Sequence, residues 1–173
     1  MSVDSIAAAI RDIPDFPQPG IIFKDITPLL KDHDLFRQAI RLMAAPWRDR
    51  RPDYIAAVES RGFIFGAALG MELECGLIPV RKKGKLPFRT VQESYSLEYG
   101  NAVIEVHEDA LKAGDRVLVI DDVLATGGTA AAAARLLEKL GATMIGMSFL
   151  LELSFLNGRS VLRDYDVNAL IRV

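Results

Sequence analysis

Four apolar residues, Val117-Leu-Val-Ile120, run directly into Asp121-Asp122-Val-Leu-Ala125-Thr126-Gly127-Gly128-Thr129, and an alanine-rich stretch follows to Leu140. An unbroken apolar run containing β-branched residues reads as a strand buried on both faces, and such strands belong to parallel sheets covered by helices. The glycines then allow a tight turn, and the alanines favour a helix. The same alternation recurs along the chain. Tyr54-Ile-Ala-Ala-Val58 is strand-like, Gly62 to Leu73 helical, Leu77 to Val80 strand-like, and Met144 to Leu151 and Val167 to Ile171 strand-like again. Leu35, Phe36, Ala39, Ile40 and Met43 recur at helical spacing, so His33 to Met43 is expected to be a helix. The expected fold class is α/β, a parallel sheet with helices on both faces.

A chain of 173 residues, half of them apolar, can fill one core and is too short for two ordinary domains, so residues 1–173 are read as a single domain. Ser5 to Ile13 reads as a short helix, broken by three prolines in Pro14-Asp-Phe-Pro-Gln-Pro-Gly20 before Ile21-Ile-Phe23 runs extended. Apolar residues are spread out rather than gathered into a run of about 20, so no membrane span is expected, and the start of the chain lacks signal-peptide character. The single cysteine, Cys75, has no internal disulfide partner, which fits a reducing cytoplasm. A net charge of −2 gives no general attraction to nucleic acid. His33 and His107 lack metal-ligand spacing and receive no role.

Ligands of open α/β sheets sit beyond the carboxyl ends of the strands, and three of those positions are chemically loaded. At the first, Ala125, Thr126, Gly127, Gly128 and Thr129 would gather backbone N–H groups, two hydroxyls and a helix N-terminus around one phosphate. A helix turn merely capped by Thr129 is the plain alternative. Two adjacent carboxylates beside an anion cradle need a polyol or metal partner, and ribose hydroxyls would serve. Asp121 and Asp122 could grip two hydroxyls together only if the strand has begun to turn there, because neighbours on an extended strand diverge; that turn is expected. At the second position, Glu59-Ser60-Arg61-Gly62, a guanidinium and freely turning backbone could meet one anion, although a solvated Arg61 before a helix entrance is also possible. At the third, Arg81-Lys82-Lys83-Gly84-Lys85 and Arg89 put five cations into nine residues without an acid. Alone, this could be a solvated face. Its glycine and proline, following a strand, point instead to a mobile loop able to close over a polyanion.

Residues Val117 to Thr129 resemble the phosphoribosyl-pyrophosphate-binding motif of the type I phosphoribosyltransferases. Asp15 to Leu30, Glu59 to Phe63, Arg81 to Pro87 and Ser94-Tyr-Ser-Leu-Glu-Tyr-Gly100 are similar, in order and spacing, to the members of that family that act on adenine. The resemblance spans most of the chain. It implies a small N-terminal hood (about residues 1–30) over a core (about 31–173), a mobile catalytic loop, dependence on Mg²⁺ and a homodimer. The implied reaction joins adenine and phosphoribosyl pyrophosphate to give AMP and pyrophosphate. It assigns pyrophosphate to Glu59, Ser60, Arg61 and Gly62 with Arg81 and Lys85, and the base to Phe23 with the backbone of Ile22 and Lys24. Proton management at the base falls to Glu98. The metal would be held mainly by substrate and water near Asp121 and Asp122. Two other readings stand beside this one: a sensor of phosphoribosyl pyrophosphate, and an enzyme of the same mechanism acting on another base.

Overall fold

The computed structural model describes residues 2–96 and 101–173. Strand β7 (Arg116–Leu124) lies at its centre, between β3 (Tyr54–Val58) and β8 (Thr143–Glu152), with parallel neighbours on both sides. Beyond these lie β4 (Gly76–Lys82) next to β3 and β9 (Val167–Arg172) next to β8, also parallel. With β5 (Thr90–Ser96) and β6 (Asn101–His107) at one edge, the order of the seven-stranded sheet is β5-β6-β4-β3-β7-β8-β9.

Alternation along the strands explains both faces. Val117 and Val119 of β7, with Ala56 and Val58 of β3, pack against the alanines of helix α5 (Gly128–Lys139). Leu118 and Ile120, with Ile55 and Ala57, join Phe65 and Leu69 of α4 (Gly62–Leu73) and Ala39, Ile40 and Met43 of α3 (His33–Ala44). A strand with apolar residues at every position therefore serves two cores, which is why an uninterrupted run marked it in the sequence.

Three expectations change. The sheet is mixed rather than parallel: β5 and β6 form an antiparallel pair, and β6 runs antiparallel to β4. The polar sequence of β5 hid this pair, because it is an edge strand whose outward residues face solvent. Ser5 to Ile13 is not one helix. Helix α1 (Val3–Ala8) ends early, and β1 (Arg11–Pro14) pairs antiparallel with β2 (Ile22–Asp25), helped by ion pairs Arg11–Asp25 at 2.6 Å and Lys24–Asp12 at 2.7 Å. The third concerns the strand bearing the two aspartates, described with the site below. The β1–β2 ribbon is separate from the main sheet, yet Ile6, Ile26 and Leu29 around it are buried in the same core as α3.

No helix among the described residues is long and apolar enough to cross a membrane. Helix α3 is capped by Asp32, whose side chain accepts from the backbone N–H groups of Asp34 at 3.1 Å and Leu35 at 3.0 Å. Replacing it with alanine leaves both donors to water. Asp32→Ala should lower stability by about 1 kcal/mol in urea unfolding, and Asp32→Asn by much less; equal losses for the two would show that the cap is not the source.

Candidate active site

The cradle forms where β7 ends and α5 begins. Gly127 sits at φ +81°, a conformation glycine adopts without strain, and the backbone turns there into the first residues of the helix. Residues 125–129, with Asp121 and Val123, line a hollow of about 70 Å³. An adjoining cleft of about 580 Å³ is lined by Val58, Glu59, Lys82, Lys83, Tyr95 and Ala102, among others. Asp121 and Thr129 border both spaces. A groove of about 630 Å³ lies at the opposite, amino-terminal end of β3, but its lining includes Asp53, Glu74 and Asp115 and no cation, so it offers nothing to an anion.

The loop is braced from behind by residues the sequence reading missed. A Cβ on Gly158 would lie 2.2 Å from the carbonyl oxygen of Ala125, and one on Gly127 would lie 2.5 Å from the carbonyl oxygen of Gly158. Backbone meets backbone here. The brace is fixed by Arg159, whose Nε donates to both oxygens of buried Glu152 at 2.8 and 2.9 Å and whose guanidinium also donates to the Val167 carbonyl at 2.8 Å. Asn157-Gly158, a turn dipeptide, was the only sequence signal available for it. A second missed group is Tyr95 of β5, whose hydroxyl accepts from Thr129 Oγ1 at 3.2 Å and so reaches the cradle.

The aspartates do not sit on a turn. Strand β7 continues through Leu124, with Asp121 opposite Phe149 and Val123 opposite Leu151, so the backbone stays extended through both aspartates while their carboxyl groups remain close enough to interact. Asp121 borders the two ligand spaces, and the Asp122 N–H donates to its Oδ1 at 2.8 Å. Asp122 is 5% exposed and its Oδ2 lies 2.7 Å from Arg61 Nε, a charge contact without an aligned hydrogen bond. Burial, then the neighbouring charge of Asp122, pushes the Asp121 carboxyl well above the usual carboxylate range. Asp122 is also raised by burial, with Arg61 pulling the other way.

Helix α4 starts against this strand end: a Cβ on Gly62 would lie 2.9 Å from Asp121 Oδ1 and 3.1 Å from the Ile120 carbonyl oxygen. The preceding loop, whose Glu59–Ser60 peptide is cis, carries Arg61 toward the N-terminal ribbon. The Arg61 guanidinium lies over the Phe23 ring, 4.9 Å from its centroid, and approaches the Lys24 carbonyl at 3.5 Å. Phe23 in turn meets Phe16 edge-on at 5.2 Å, while Ile22 is 55% exposed. Arg61, Asp122, Phe23 and Lys24 are thus gathered in one place, although they come from three separate parts of the chain.

The Glu59 carboxylate accepts from Arg81 Nε at 2.9 Å and from the Lys82 N–H at 3.1 Å, which holds the Arg81 guanidinium beside it. In the structure Arg81 and Lys82 end β4, the Lys83 N–H donates to the Val103 carbonyl of β6 at 3.0 Å, and Gly84 at φ +83° makes a tight turn. Ser60 remains in the loop before α4, its carbonyl accepting from the Phe63 N–H at 3.2 Å. Glu98 lies outside the described residues. Among the described residues no group of three or more His, Cys, Asp or Glu could hold a metal by itself.

The phosphoribosyl transferase domain family matches residues 26–167 of the chain. The adenine phosphoribosyltransferase of Thermotoga neapolitana is 57% identical over 162 residues, covering 94% of this chain and 95% of that protein. The crystal structure of adenine phosphoribosyltransferase from Thermoanaerobacter pseudethanolicus superposes with a TM-score of 0.97 at 49% identity, covering 99% of this chain and all (100%) of that one. The Saccharomyces cerevisiae adenine phosphoribosyltransferase, complexed with an imino-altritol bisphosphate and adenine, superposes with a TM-score of 0.93 at 39% identity, with 97% of each chain covered.

The strained ionisation of Asp121 has a measurable sign. Its folded pKa is raised above the ordinary 3.8, so the folded state keeps a proton that the unfolded chain releases, and that advantage is lost as pH rises through the folded value. Asn at this position has no such titration. Thermal unfolding of parent and Asp121→Asn between pH 4 and pH 8, about the range where carboxylates titrate, should show the variant gaining on the parent as pH rises. A gap independent of pH would refute the assignment.

Proposed function

The chain belongs to the phosphoribosyl transferase family, among its adenine phosphoribosyltransferases, and on that premise we propose that it transfers the 5-phosphoribosyl group of phosphoribosyl pyrophosphate to N9 of adenine, releasing AMP and pyrophosphate. The observation that carries the reading is the junction of hollow and cleft: Asp121 and Thr129 border both, so one ligand can fill the cradle with a phosphate and the cleft with its ribose.

In this reading the backbone of Ala125 to Gly128 and the hydroxyls of Thr126 and Thr129 receive the 5′-phosphate at the N-terminus of α5. Asp121 faces the ribose, and Asp122 acts through Arg61. Breaking the bond from C1′ to pyrophosphate spreads positive charge over the ribose ring and negative charge over the leaving group. Arg61 beside Gly62, with Arg81 and Lys85, would stabilise the leaving charge. Ser60 contributes its loop, and Glu59 keeps Arg81 in place. Adenine would stack on Phe23 and pair its edge with the backbone of Ile22 and Lys24, taking the ring face now covered by Arg61 and displacing that guanidinium toward the pyrophosphate. Glu98 would accept the proton of the attacking base.

Bound together with substrate, Mg²⁺ would supply positive charge to the ribose hydroxyls and pyrophosphate, and Asp121 and Asp122 are the residues beside it. Two features suit a cation there: burial and the charge of Asp122 raise the Asp121 carboxyl well above the usual range, and Asp122 Oδ2 is buried with no aligned donor. A site with few protein ligands fits this metal, which keeps most of its waters. We also infer a homodimer in a reducing cytoplasm; exposed apolar side chains such as Met71, 84% exposed, are available to a second copy of the chain.

A panel of adenine, hypoxanthine, guanine, xanthine and pyrimidines, each with phosphoribosyl pyrophosphate and Mg²⁺, tests the reading through release of pyrophosphate. Adenine should be the preferred acceptor; no turnover with any base would leave a sensor, and preference for another base would relocate the specificity. Within the site, Thr129→Val should weaken phosphoribosyl pyrophosphate and AMP together, because both present a 5′-phosphate. Arg81→Ala with Lys85→Ala should instead reduce turnover by about tenfold or more while leaving AMP affinity near its original value. Equal weakening of both ligands by the double variant would mark those cations as a general basic patch.

A further inference from the structure

Glu105, in the middle of β6, is 2% exposed, and nothing in the proposed chemistry uses it. A buried carboxylate without partners is costly, so its contacts should reveal its purpose. Its Oε1 accepts from the backbone N–H groups of Lys85 at 2.9 Å and Leu86 at 3.0 Å. Its Oε2 lies 3.3 Å from both Thr90 Oγ1 and Gln92 Nε2. Glu105 also sits opposite Arg81 across the β4–β6 ladder and opposite Gln92 across the β5–β6 ladder. Burial works against its charge, but N–H groups of Leu86, Gly84 and Lys85 outweigh it and hold the carboxyl below the usual range.

We propose that Glu105 is a positioning residue for the pyrophosphate end of the substrate: it clamps the turn after β4 and thereby presents Lys85 and Arg81 to the leaving group before any ligand arrives. The inference rests on the reading of those two cations given above. The linkage is continuous. Glu105 fixes the Lys85 and Leu86 backbone, the Lys85 carbonyl accepts from the Arg81 guanidinium at 3.2 Å, and Glu59 holds the opposite side of that guanidinium at 2.9 Å. The Lys85 backbone is therefore tied on both its N–H and its carbonyl. No ion pair engages its ammonium among the described residues, leaving that group available. A carboxylate suits the task because two oxygens can accept from four donors, whereas a carboxamide has one accepting oxygen. Two of the donors belong to β5, so the same clamp joins the basic turn to the hairpin whose Tyr95 touches the cradle. Preordering the cations reduces what binding must spend in side-chain and loop entropy.

Purified full-length parent, Glu105→Ala and Glu105→Gln are compared by amide hydrogen exchange and by steady-state kinetics. Glu105→Ala should speed exchange at Lys85 and Leu86 while leaving Tyr54 to Val58 protected, and should raise KM for phosphoribosyl pyrophosphate about tenfold, with AMP affinity changed less than about twofold. Glu105→Gln should give a smaller rise with the same selectivity, and it carries the test alone if the alanine variant does not fold. Parallel weakening of AMP and phosphoribosyl pyrophosphate would reduce Glu105 to a general structural role. An unchanged KM for phosphoribosyl pyrophosphate in folded Glu105→Ala, or in Glu105→Gln where only that variant folds, would overturn the proposal. Failure of the functional reading is separable: the parent would then form no AMP from adenine, while exchange at Lys85 and Leu86 and calorimetric binding of inorganic pyrophosphate would still report on the clamp.

Discussion

The site depends on carrying an extended strand beyond its apolar run. Strand β7 is held between parallel neighbours on both sides, and its first residues serve two cores at once. The strand then keeps its geometry for four more residues, and the first two of those are carboxylic acids. The sheet fixes the backbone at both acids, and Asp122 is buried beside Arg61. Burial raises the ionisation cost of both, the charge of Asp122 adds to that of Asp121, and Arg61 offsets only part of it. A conflict of this sort persists where a ligand resolves it, which is a physical reason to seek the reaction at this strand end rather than in the larger groove opposite.

Cations around the cleft are held by acids, and those acids differ in what they demand. Arg61 leans on Asp122, Arg81 on Glu59, and the backbone of the basic turn on Glu105. Glu93 accepts from Arg135 and Lys139 of α5, fastening the β5 strand to the helix that forms the cradle. Exposed pairs of this kind contribute on the order of 1 kcal/mol or less. The buried acids act mainly on geometry, since removing a partner from a buried charge is far more disruptive than the net worth of the pair. The result is a set of cations oriented in advance around space left for an anion.

Much of this was legible in the sequence, for a definite reason. Strands buried on both faces carry an apolar residue at each position, so Tyr54–Val58 was readable to the residue. Helix α4 was equally clear, at Gly62–Leu73. The turn into α5 was legible because glycines, threonines and a helix start are neighbours in the chain. What escaped was non-local or edge structure. The hairpin β5–β6 is polar on its outer face, and β1 continues a sequence that has good helix formers until Ala9. The Gly127–Gly158 contact and the Glu105 clamp join residues far apart in sequence, with no spacing rule to announce them. The turn expected at Asp121 is absent because the ladder between β7 and β8 runs on through Leu124.

In the proposed reading the two adjacent acids divide the work, Asp121 facing ribose and Asp122 beside Arg61. A single carboxylate facing ribose would leave Arg61 without a buried partner, and a single carboxylate holding Arg61 would leave the ligand side of β7 without a polar group. Placing both on one strand couples them, so charge on Asp122 raises the cost of charge on Asp121. Displacement of Arg61 from Phe23 by an arriving base, or approach of a cation to the ribose, changes the potential felt by both. In that reading base, pyrophosphate and ribose would be linked through one guanidinium and two carboxylates within a rigid strand end, with no long-range movement of the sheet needed for one part of the site to sense another.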